Sequence, residues 1–310
     1  MTKSNVAGRR GRRLNLKQRE ALTGWLFVSP ALIGFGIFTF GAILYSLYLS
    51  FTDYDMFGTP EWVGLENYIK AFTNDEYFYQ YFGNTFYFAI VLVPVVLVIS
   101  LFLAILINKK VGKLTKAYRV ALFLPSITST VAVSMVWLWI FNPDMGILNN
   151  FLTAIGFHNP PMWLSDPEWS KPALIIMRVW QMSGYYMLLF LAGLQTIPET
   201  LYEAAEVDGA SRLRKIWHIT LPGIRSTIII LLIMNLGRIL GSEFDRPFTL
   251  SNPLVEGASK TISIFVYERG IKGNQFALST AVGLFQSVVC VIFLLASNTL
   301  AKKFDEPGIM

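Results

Sequence analysis

Six long apolar segments constrain this chain more than any other feature of its sequence. A helix needs about 20 mostly apolar residues to cross about 30 Å of hydrocarbon. The segments are residues 24–51, 82–108, 120–141, 172–197, 226–241 and 276–301. The fourth and fifth each contain one charged residue, Arg178 and Arg238. Because runs of this length without alternating polarity do not suit a β-barrel, the sequence predicts an all-α, polytopic membrane protein with six transmembrane helices.

The composition excludes several other classes of protein. Hydrophobic residues make up 54% of the chain and charged residues 15%, whereas charged residues are about a quarter of a typical soluble domain. The single cysteine, Cys290, excludes an intrachain disulfide, and the two histidines do not form a metal site with it at any usual ligand spacing. The sequence therefore predicts no metal site.

The distribution of charge predicts the orientation in the membrane. With six crossings, the two tails and the second and fourth loops share one end of the bundle, which carries 18 basic residues. We call this the basic end. The opposite end, the acidic end, has six basic and 13 acidic residues. The positive-inside rule places both termini in the cytoplasm. Because the basic residues are spread over several loops, they act as topology signals, and no nucleic-acid partner is expected.

The domain organisation follows from the apolar segments and the distribution of charge. Residues 1–20 are predicted to be a basic cytoplasmic tail, residues 21–301 a single transmembrane domain, and residues 302–310 a second cytoplasmic tail. The first apolar run exceeds the roughly 7–15 residues of a secretory signal, and no Ala-x-Ala pattern follows it. It is therefore expected to remain as an uncleaved first span.

The fourth loop, residues 197–225, is unusually long for a connection between two spans. Pro198 and Glu199 suit a helix start, and the residues up to Val207 favour helix. Gly209 is free to adopt the positive φ that ends a helix, and Ser211 can cap a second short helix that stops at Pro222. The sequence predicts two short helices around a glycine.

The residues of this loop match a known pattern over its whole spacing. The pattern is Glu203-Ala204-Ala205, two residues, Asp208-Gly209-Ala210, eight residues, and Ile219-x-Leu221-Pro222. It resembles the cytoplasmic coupling loop of bacterial binding-protein-dependent ABC importers, in the branch that takes up maltose and other sugars. Similar matches occur at Ser29-Pro30, at Phe82-Gly83-Asn84-Thr85, and at Arg119 with Phe123-Leu124-Pro125.

The resemblance implies a type I ABC importer permease fold in the bacterial cytoplasmic membrane, with the loop seated in a cleft of an ATPase. Ala204 and Ala205 permit close helix approach, Gly209 makes the bend, and Glu203 and Asp208 form capping bonds or meet basic groups of the partner. The expected coupling residues are Glu203, Ala204, Ala205, Asp208, Gly209, Ala210, Ile219, Leu221 and Pro222.

The chain contains no Gly-x-x-x-x-Gly-Lys-Ser/Thr motif, so it is not expected to bind nucleotide or to act as an enzyme. No catalytic residue and no cofactor of its own is predicted, and ATP and Mg²⁺ belong to a separate ATPase dimer. The resemblance further implies a second permease subunit, an extracytoplasmic solute-binding protein and a saccharide substrate.

Polar residues inside the spans are candidates for the substrate path. Charged groups there face protein or water by default. Arg178, Gln181 and Tyr185 share one helical face, and Asn235 and Arg238 share another. Aromatic side chains beside them suit sugar rings. The candidates are Arg178, Trp180, Gln181, Tyr185, Asn235 and Arg238, with Trp137 and Tyr186 as further aromatic neighbours. The competing interpretation places Arg238 near the outer end of its span and the tryptophans in interfacial belts.

The fifth loop departs from the common sugar-permease pattern, in which a Gly-Gly-Pro turn is expected. The chain has Phe244-Asp245 and Ser251-Asn252-Pro253-Leu254-Val255 instead. Together with Thr280-Ala281-Val282-Gly283-Leu284-Phe285, this resembles the subgroup associated with larger saccharides derived from polysaccharides.

Three other functions stay open as alternatives. A permease for a non-sugar solute would share the coupling loop. An ion-coupled carrier would require inverted repeats and intramembrane acids, and a membrane enzyme would require a clustered catalytic constellation. Neither of these last two patterns is evident in the sequence.

Overall fold

A computed structural model describes residues 15–108 and 113–303, and these residues form a helical bundle. The helices of its first half are α1 Leu16–Leu49, α2 Glu66–Thr73, α3 Phe78–Asn108, α4 Lys113–Ile127, α5 Thr130–Ile140, α6 Ile147–Ala154 and α7 Pro167–Leu194. The second half contains α8 Glu199–Val207, α9 Arg212–Gly223, α10 Arg225–Ser242, α11 Asp245–Leu250, α12 Glu256–Ser259, α13 Ile262–Tyr267 and α14 Phe276–Lys303. A π-helical turn, Glu268–Lys272, follows α13.

Among the described residues, four helices are long and apolar enough to cross a membrane: α1, α3, α7 and α14. Two bent pairs supply the other crossings. The pair α4 and α5 bends by 101°, and the pair α9 and α10 bends by 62°. Counting each bent pair as one crossing gives six, in agreement with the six apolar segments of the sequence.

The sequence predicts one helix over residues 120–141 for the third span, whereas the structure has two. Helix α4 contains Pro125 and ends at Ile127, and α5 begins at Thr130. Proline has no amide hydrogen and clashes with the preceding turn, so a break near it is expected. The carbonyl of Thr128 at the break accepts a 3.3 Å hydrogen bond from Nε2 of Gln181 in α7. A neighbouring span therefore satisfies the backbone group that the bend exposes.

The first helix extends beyond the predicted first span into the predicted tail. Asn15 and Gln18 form a capping box, so α1 begins at Leu16 within the predicted tail. At the other end of the chain, Lys302 and Lys303, the first residues of the second predicted tail, form the end of α14. The remainder of the two predicted tails, residues 1–14 and 304–310, lies outside the described residues.

Hydrogen bonds join the loops of the acidic end. Nδ2 of the buried Asn84 donates to the carbonyls of Gly257 and Lys260 at 2.7 and 2.9 Å. Oγ1 of Thr85 accepts from the amide of Ile262 at 3.0 Å. The sequence Phe82-Gly83-Asn84-Thr85 thus ties the start of the second span to the fifth loop. The side chains of Asn84 and Thr85 thereby give hydrogen-bond partners to buried backbone groups that would otherwise lack them.

A paired lysine stabilises the same region. Nζ of Lys260 lies 2.6 Å from Oε1 of Glu256 and 2.9 Å from Oε1 of Glu268. The hydrogen bond from Lys260 lowers the pKa of Glu256. Burial by itself lowers the pKa of Lys260, but the hydrogen bonds to the two carboxylates outweigh it and raise that pKa. Glu256 and Lys260 are therefore charged at neutral pH, and the ion pairs of Lys260 hold α12 against the turn after α13.

The main apolar core lies between α3, α5, α7 and α10. Its buried side chains include Val96, Phe141, Met177, Phe190 and Leu240. A smaller core at the acidic end packs α3 against α13 and α14. Since lipid is as apolar as these side chains, close packing and polar contacts hold the spans together.

Helix α1 stands apart from this core. No residue of Leu16–Phe35 or Gly36–Gly41 is buried, and Leu49 is the buried residue of the final segment Ala42–Leu49. That final segment packs on α14. Within the described part of the chain, most of the first span is therefore left uncovered.

Thr85→Val tests the tie between the second span and the fifth loop. Valine has the shape of threonine but cannot accept from the amide of Ile262, so a buried donor is left without a partner. We expect the free energy of unfolding to fall by about 1–3 kcal/mol. The measurement is the thermal unfolding midpoint of the detergent-solubilised protein. Thr85→Ser keeps the hydroxyl and is the control, and an equal midpoint for the valine and serine variants would contradict the assigned role.

Candidate functional site

The long loop folds as two short helices around a glycine, as predicted. Helix α8 ends at Val207, with Asp208 as its C-cap residue, and Gly209 adopts a φ of +72°. The amide of Ala210 donates to the carbonyl of Ala205 at 2.8 Å, which closes the helix end. Oγ of Ser211 then accepts from the amide of Arg214 at 3.4 Å and caps α9. A side chain at Gly209 would make this left-handed backbone conformation costly by about 1–2 kcal/mol.

Helix α9 does not stop before Pro222, which corrects one detail of the prediction. It contains a π-helical turn, Ile216–Thr220, and continues through Leu221–Gly223. Pro222 lies in the first turn of that last segment, where a missing amide hydrogen is tolerated. The change of direction comes after Gly223, at the 62° bend into α10.

Two side-chain contacts hold α8 and α9 together. Nζ of the buried Lys215 lies 2.6 Å from Oε1 of Glu206. The hydroxyl oxygens of Tyr202 and Thr220 are 3.0 Å apart. No role was predicted from the sequence for Glu206 or Lys215. Glu206 is 61% exposed, so solvent weakens this ion pair. The pair fixes how α8 and α9 lie against each other but adds little to the free energy of unfolding.

The predicted coupling residues lie mostly at the surface of this loop. The exposed ones are Glu203, Ala204, Asp208, Gly209 and Pro222, and the half-buried ones are Ala205, Ala210, Ile219 and Leu221. Both predicted carboxylates, on Glu203 and Asp208, therefore point to solvent.

Four large apolar side chains are also exposed on the loop: Leu201, Val207, Leu213 and Trp217. We call these four residues the loop patch. Val207 is 89% exposed and Trp217 66%. Exposed apolar side chains grouped in a charged loop mark a protein contact surface. They were not predicted from the sequence, although apolar residues between charged ones are a readable signal.

A buried group of charges joins the fourth span to the segment after the fifth. Oε2 of Glu243 accepts from Nη1 of Arg178 at 3.1 Å, and Oε1 accepts from Nη1 of Arg246 at 2.8 Å. Nε and Nη2 of Arg246 donate to Oε1 of Gln181 at 3.1 and 2.6 Å. All four residues are buried. We call Arg178, Gln181, Glu243 and Arg246 the charge cluster.

The charge cluster lies deep in the bundle. By helical rise, Arg178 is about 16 Å along α7 from its first residue, at the acidic end. The carbonyl of Leu240, near the end of α10, accepts a 2.7 Å hydrogen bond from Nε2 of Gln286. Gln286 is itself about 15 Å along α14 from its first residue. Unpaired charges at such depth cost several kcal/mol, so mutual pairing is required.

Glu243 and Arg246 were not predicted as site residues, because the sequence places both in an outer loop. In the structure the segment after Ser242 remains inside the bundle, where α11 packs on α5. A carboxylate and a guanidinium three residues apart, directly after an apolar span, are the signal that could have indicated an inward-folded segment.

The other predicted path residues separate into two groups. Asn235 is buried, hydrogen-bonded to the hydroxyl of Tyr186, and donates to the carbonyl of Leu231 at 2.8 Å. Trp180, Tyr185 and Arg238 are exposed. Trp180 packs edge-on against Trp137 at a centroid distance of 5.7 Å, and Tyr185 packs in the same way against Tyr186 at 5.1 Å.

Arg238 does not lie at the outer end of the bundle. It precedes Leu240, which is hydrogen-bonded to the middle of the bundle through Gln286. Snorkelling to the nearer interface, the competing interpretation of Arg238, is therefore disfavoured by the fold.

Arg246→Met tests the charge cluster. The substitution removes the hydrogen bonds to Glu243 and Gln181 and leaves buried polar groups without partners, so we expect a loss of about 3–5 kcal/mol in the free energy of unfolding. Arg246→Lys keeps the charge and is expected to retain part of that stability. Thermal unfolding in detergent measures both, and a methionine variant as stable as the parent would show that the cluster is not paired as described.

A bundle of apolar helices with paired charges at its centre and a protruding helical loop at one end has the architecture of a membrane permease. Residues 96–306 match the family described as binding-protein-dependent transport system inner membrane component, and the chain belongs to this family.

Individual relatives cover nearly the whole chain. Protein LplB of Bacillus subtilis is 34% identical over 290 residues, which are 92% of this chain and 90% of that protein. The polygalacturonan/rhamnogalacturonan transport system permease protein YteP of the same organism is 32% identical over 303 residues, 96% of this chain and 93% of YteP.

A solved structure shows the same fold. In the crystal structure of a bacterial alginate ABC transporter in complex with an alginate pentasaccharide-bound periplasmic protein, one chain is 29% identical. It aligns with a TM-score of 0.85 over 94% of this chain and 98% of its own length. The all-α, type I ABC importer permease fold and the multi-pass membrane character predicted from the sequence are confirmed.

Proposed function

We propose that this chain is one of two permease subunits of an ATP-driven importer and forms half of the path for an oligosaccharide. The names of YteP and of the alginate transporter support this substrate class, because they refer to polygalacturonan, rhamnogalacturonan and alginate. The departure of the fifth loop from the common sugar-permease pattern agrees with a larger saccharide. An extracytoplasmic binding protein delivers the substrate, by analogy with the alginate transporter and its pentasaccharide-bound periplasmic protein.

The basic end faces the cytoplasm in this proposal. The excess of basic residues in the tails and in the second and fourth loops supports that orientation. Both termini and the loop with α8 and α9 are then cytoplasmic. The acidic end faces outward and receives the binding protein.

The loop patch carries the proposal, because it gives a separate ATPase dimer a surface to bind. That ATPase binds and hydrolyses ATP with Mg²⁺, which this chain does not do. The exposed Glu203 and Asp208 lie on the same loop and are available to basic groups of the ATPase. Since α9 continues into α10 through a single bend, a displacement of the loop moves α10 as well.

Gly209→Val tests this coupling role. Valine is strained at a φ of +72°, so the turn between α8 and α9 changes and the loop patch no longer matches the ATPase. We expect saccharide uptake to be lost and the ATPase to detach, while membrane insertion is unchanged. Uptake by proteoliposomes and the ATPase retained during purification in mild detergent measure the two effects.

Gly64→Val is the matched control, because Gly64 has a similar φ of +64° but lies in the first loop, at the opposite end. That variant is expected to retain the ATPase. If the Gly209 variant transported normally with its ATPase attached, the coupling assignment would be wrong.

The second permease subunit covers α1 in this proposal. Most of α1 has no contact with the core of its own chain, yet it carries large exposed side chains such as Trp25, Phe27 and Phe38. A helix that leaves its own bundle in this way is positioned to pack on a neighbouring membrane subunit.

A photo-crosslinking residue at Phe27 tests this arrangement, because contact with a partner subunit gives a covalent product of defined mass. We expect a crosslink to the second permease in the purified complex. The same residue at Tyr79, an exposed position in the first turn of α3, is the control and is expected to give no such product. Lipid adducts alone at position 27 would contradict a subunit contact along α1.

A further inference from the structure

The third loop, which joins the third span to the fourth, is the least charged connection at the acidic end. Residues 145–165 contain no Asp, Glu, Lys or Arg, whereas the first and fifth loops carry charged residues along their length. A connection that is surrounded by water is normally polar. The composition of the third loop therefore indicates contact with an apolar phase.

Large apolar side chains are exposed along this loop. Six of them are between 57% and 77% exposed, namely Met145, Ile147, Phe151, Ile155, Phe157 and Met162. Ile147 and Phe151 belong to α6, and Ile155 follows that helix directly. Because residues four apart share one side of a helix, these three form a single apolar strip. We call Ile147, Phe151 and Ile155 the α6 face. Grouped exposed side chains of this kind mark a contact with a membrane or with another protein.

Helix α6 has three sides with different surroundings. Leu148 and Leu152 pack against the main apolar core. With a rotation of about 100° per residue, the α6 face lies beside that packed side, and Asn150 and Thr153 lie on the remaining side. Both of these polar residues are exposed. A helix with adjacent packed, apolar exposed and polar exposed sides suits the boundary between protein, lipid and water.

The position of α6 along the bundle agrees with the surface of the bilayer. Helix α5 ends at Ile140, and Trp139 in its last turn is exposed. A tryptophan at the end of a span is typical of the membrane–water interface. Only residues 141–146 separate the two helices, and α6 contacts α5. Since its packed side also reaches the main core, α6 stays at the level where the third span ends.

We infer that α6 lies along the bilayer surface at the acidic end and that the α6 face inserts between phospholipid acyl chains. Two observations favour lipid over a protein partner. A protein interface has a polar rim, whereas residues 145–165 offer no charged group to orient a partner. In addition, a bilayer that covers the exposed side of α5 reaches α6, because the two helices are in contact.

Hydrogen bonds hold α6 against the bundle in this position. Nδ2 of the buried Asn149 donates to the carbonyl of Pro143 at 3.1 Å, and its Oδ1 accepts from Nε1 of Trp163 at 2.7 Å. The carbonyl of Leu164 accepts a 2.6 Å hydrogen bond from Nδ2 of Asn252 in the fifth loop. The lipid contact of α6 therefore fixes the height of the third loop in the membrane and, through Asn252, supports the fifth loop.

Spin labels on two sides of α6 test the inference in the complete transporter complex, reconstituted in phospholipid vesicles. Cys290→Ser removes the native cysteine, and Phe151→Cys or Thr153→Cys then carries the label. Power-saturation electron paramagnetic resonance compares collisions with oxygen, which concentrates among acyl chains, and with a water-soluble nickel chelate. We expect the label at position 151 to collide mainly with oxygen, about 5–10 Å into the boundary between headgroups and acyl chains. The label at position 153 is the matched control and should collide mainly with nickel.

Ile147→Cys repeats the measurement one turn earlier on the same side, so that the result does not depend on a single variant. Labels at positions 147 and 151 that collide mainly with nickel would place the α6 face in water and overturn the inference. Labels shielded from both reagents would be covered by protein, which also overturns it.

The same measurement with the extracytoplasmic binding protein added separates lipid from that partner. We expect the oxygen collisions of the label at position 151 to be unchanged. Protection from oxygen on addition of the binding protein would identify the α6 face as its docking surface and not as a lipid contact.

Discussion

The pairing of Glu243 with Arg178 and Arg246 is the interaction on which the rest of the bundle depends. It holds the segment after Ser242 inside the protein, although that segment has the composition of an external loop. Buried ion pairs contribute little net stability compared with well-packed apolar residues, but an unpaired charge is strongly unfavourable. The charge cluster therefore specifies how α7, α10 and α11 pack together, and it adds little net stability to that packing. Gln181 extends the selection to the third span, because it bonds both Arg246 and the carbonyl at the break between α4 and α5.

Helix α10 connects the loop patch to the charge cluster. At one end it follows α9 and the loop patch, and at the other it leads directly into Glu243. The intervening residues include Asn235, which is hydrogen-bonded to α7, and Arg238, which is exposed. Because a helix transmits displacement along its axis without much bending, a movement of the loop reaches the charge cluster. In the proposed importer, α10 is the element that links the cytoplasmic ATPase to the charge cluster.

The sequence allowed the spans and the loop to be predicted for local reasons. Apolar length alone indicates a crossing, and the helix formers, Gly209 and Ser211 specify two short helices whatever surrounds them. The prediction was less successful where a distant partner decides the outcome. One helix was predicted for the third span, but the chain breaks at Thr128, whose carbonyl is bonded by Gln181, 53 residues away in the chain. The early start of α1 has a local cause, the capping box of Asn15 and Gln18, which was readable but not used.

The sequence by itself determined that the chain is an apolar helical membrane protein, where its six crossings lie and how its long loop folds. Each of these follows from residues within one segment. Only the tertiary structure decided which polar residues meet inside the bundle: that Arg178 pairs with Glu243, that Asn235 bonds Tyr186, and that Arg238 is exposed at depth. These contacts join positions far apart in the chain, and a single sequence does not show which residue pairs with a given charged residue. The electrostatic requirement that buried charges be paired was visible from the start, while the identity of the pairs depended on the packing of the helices.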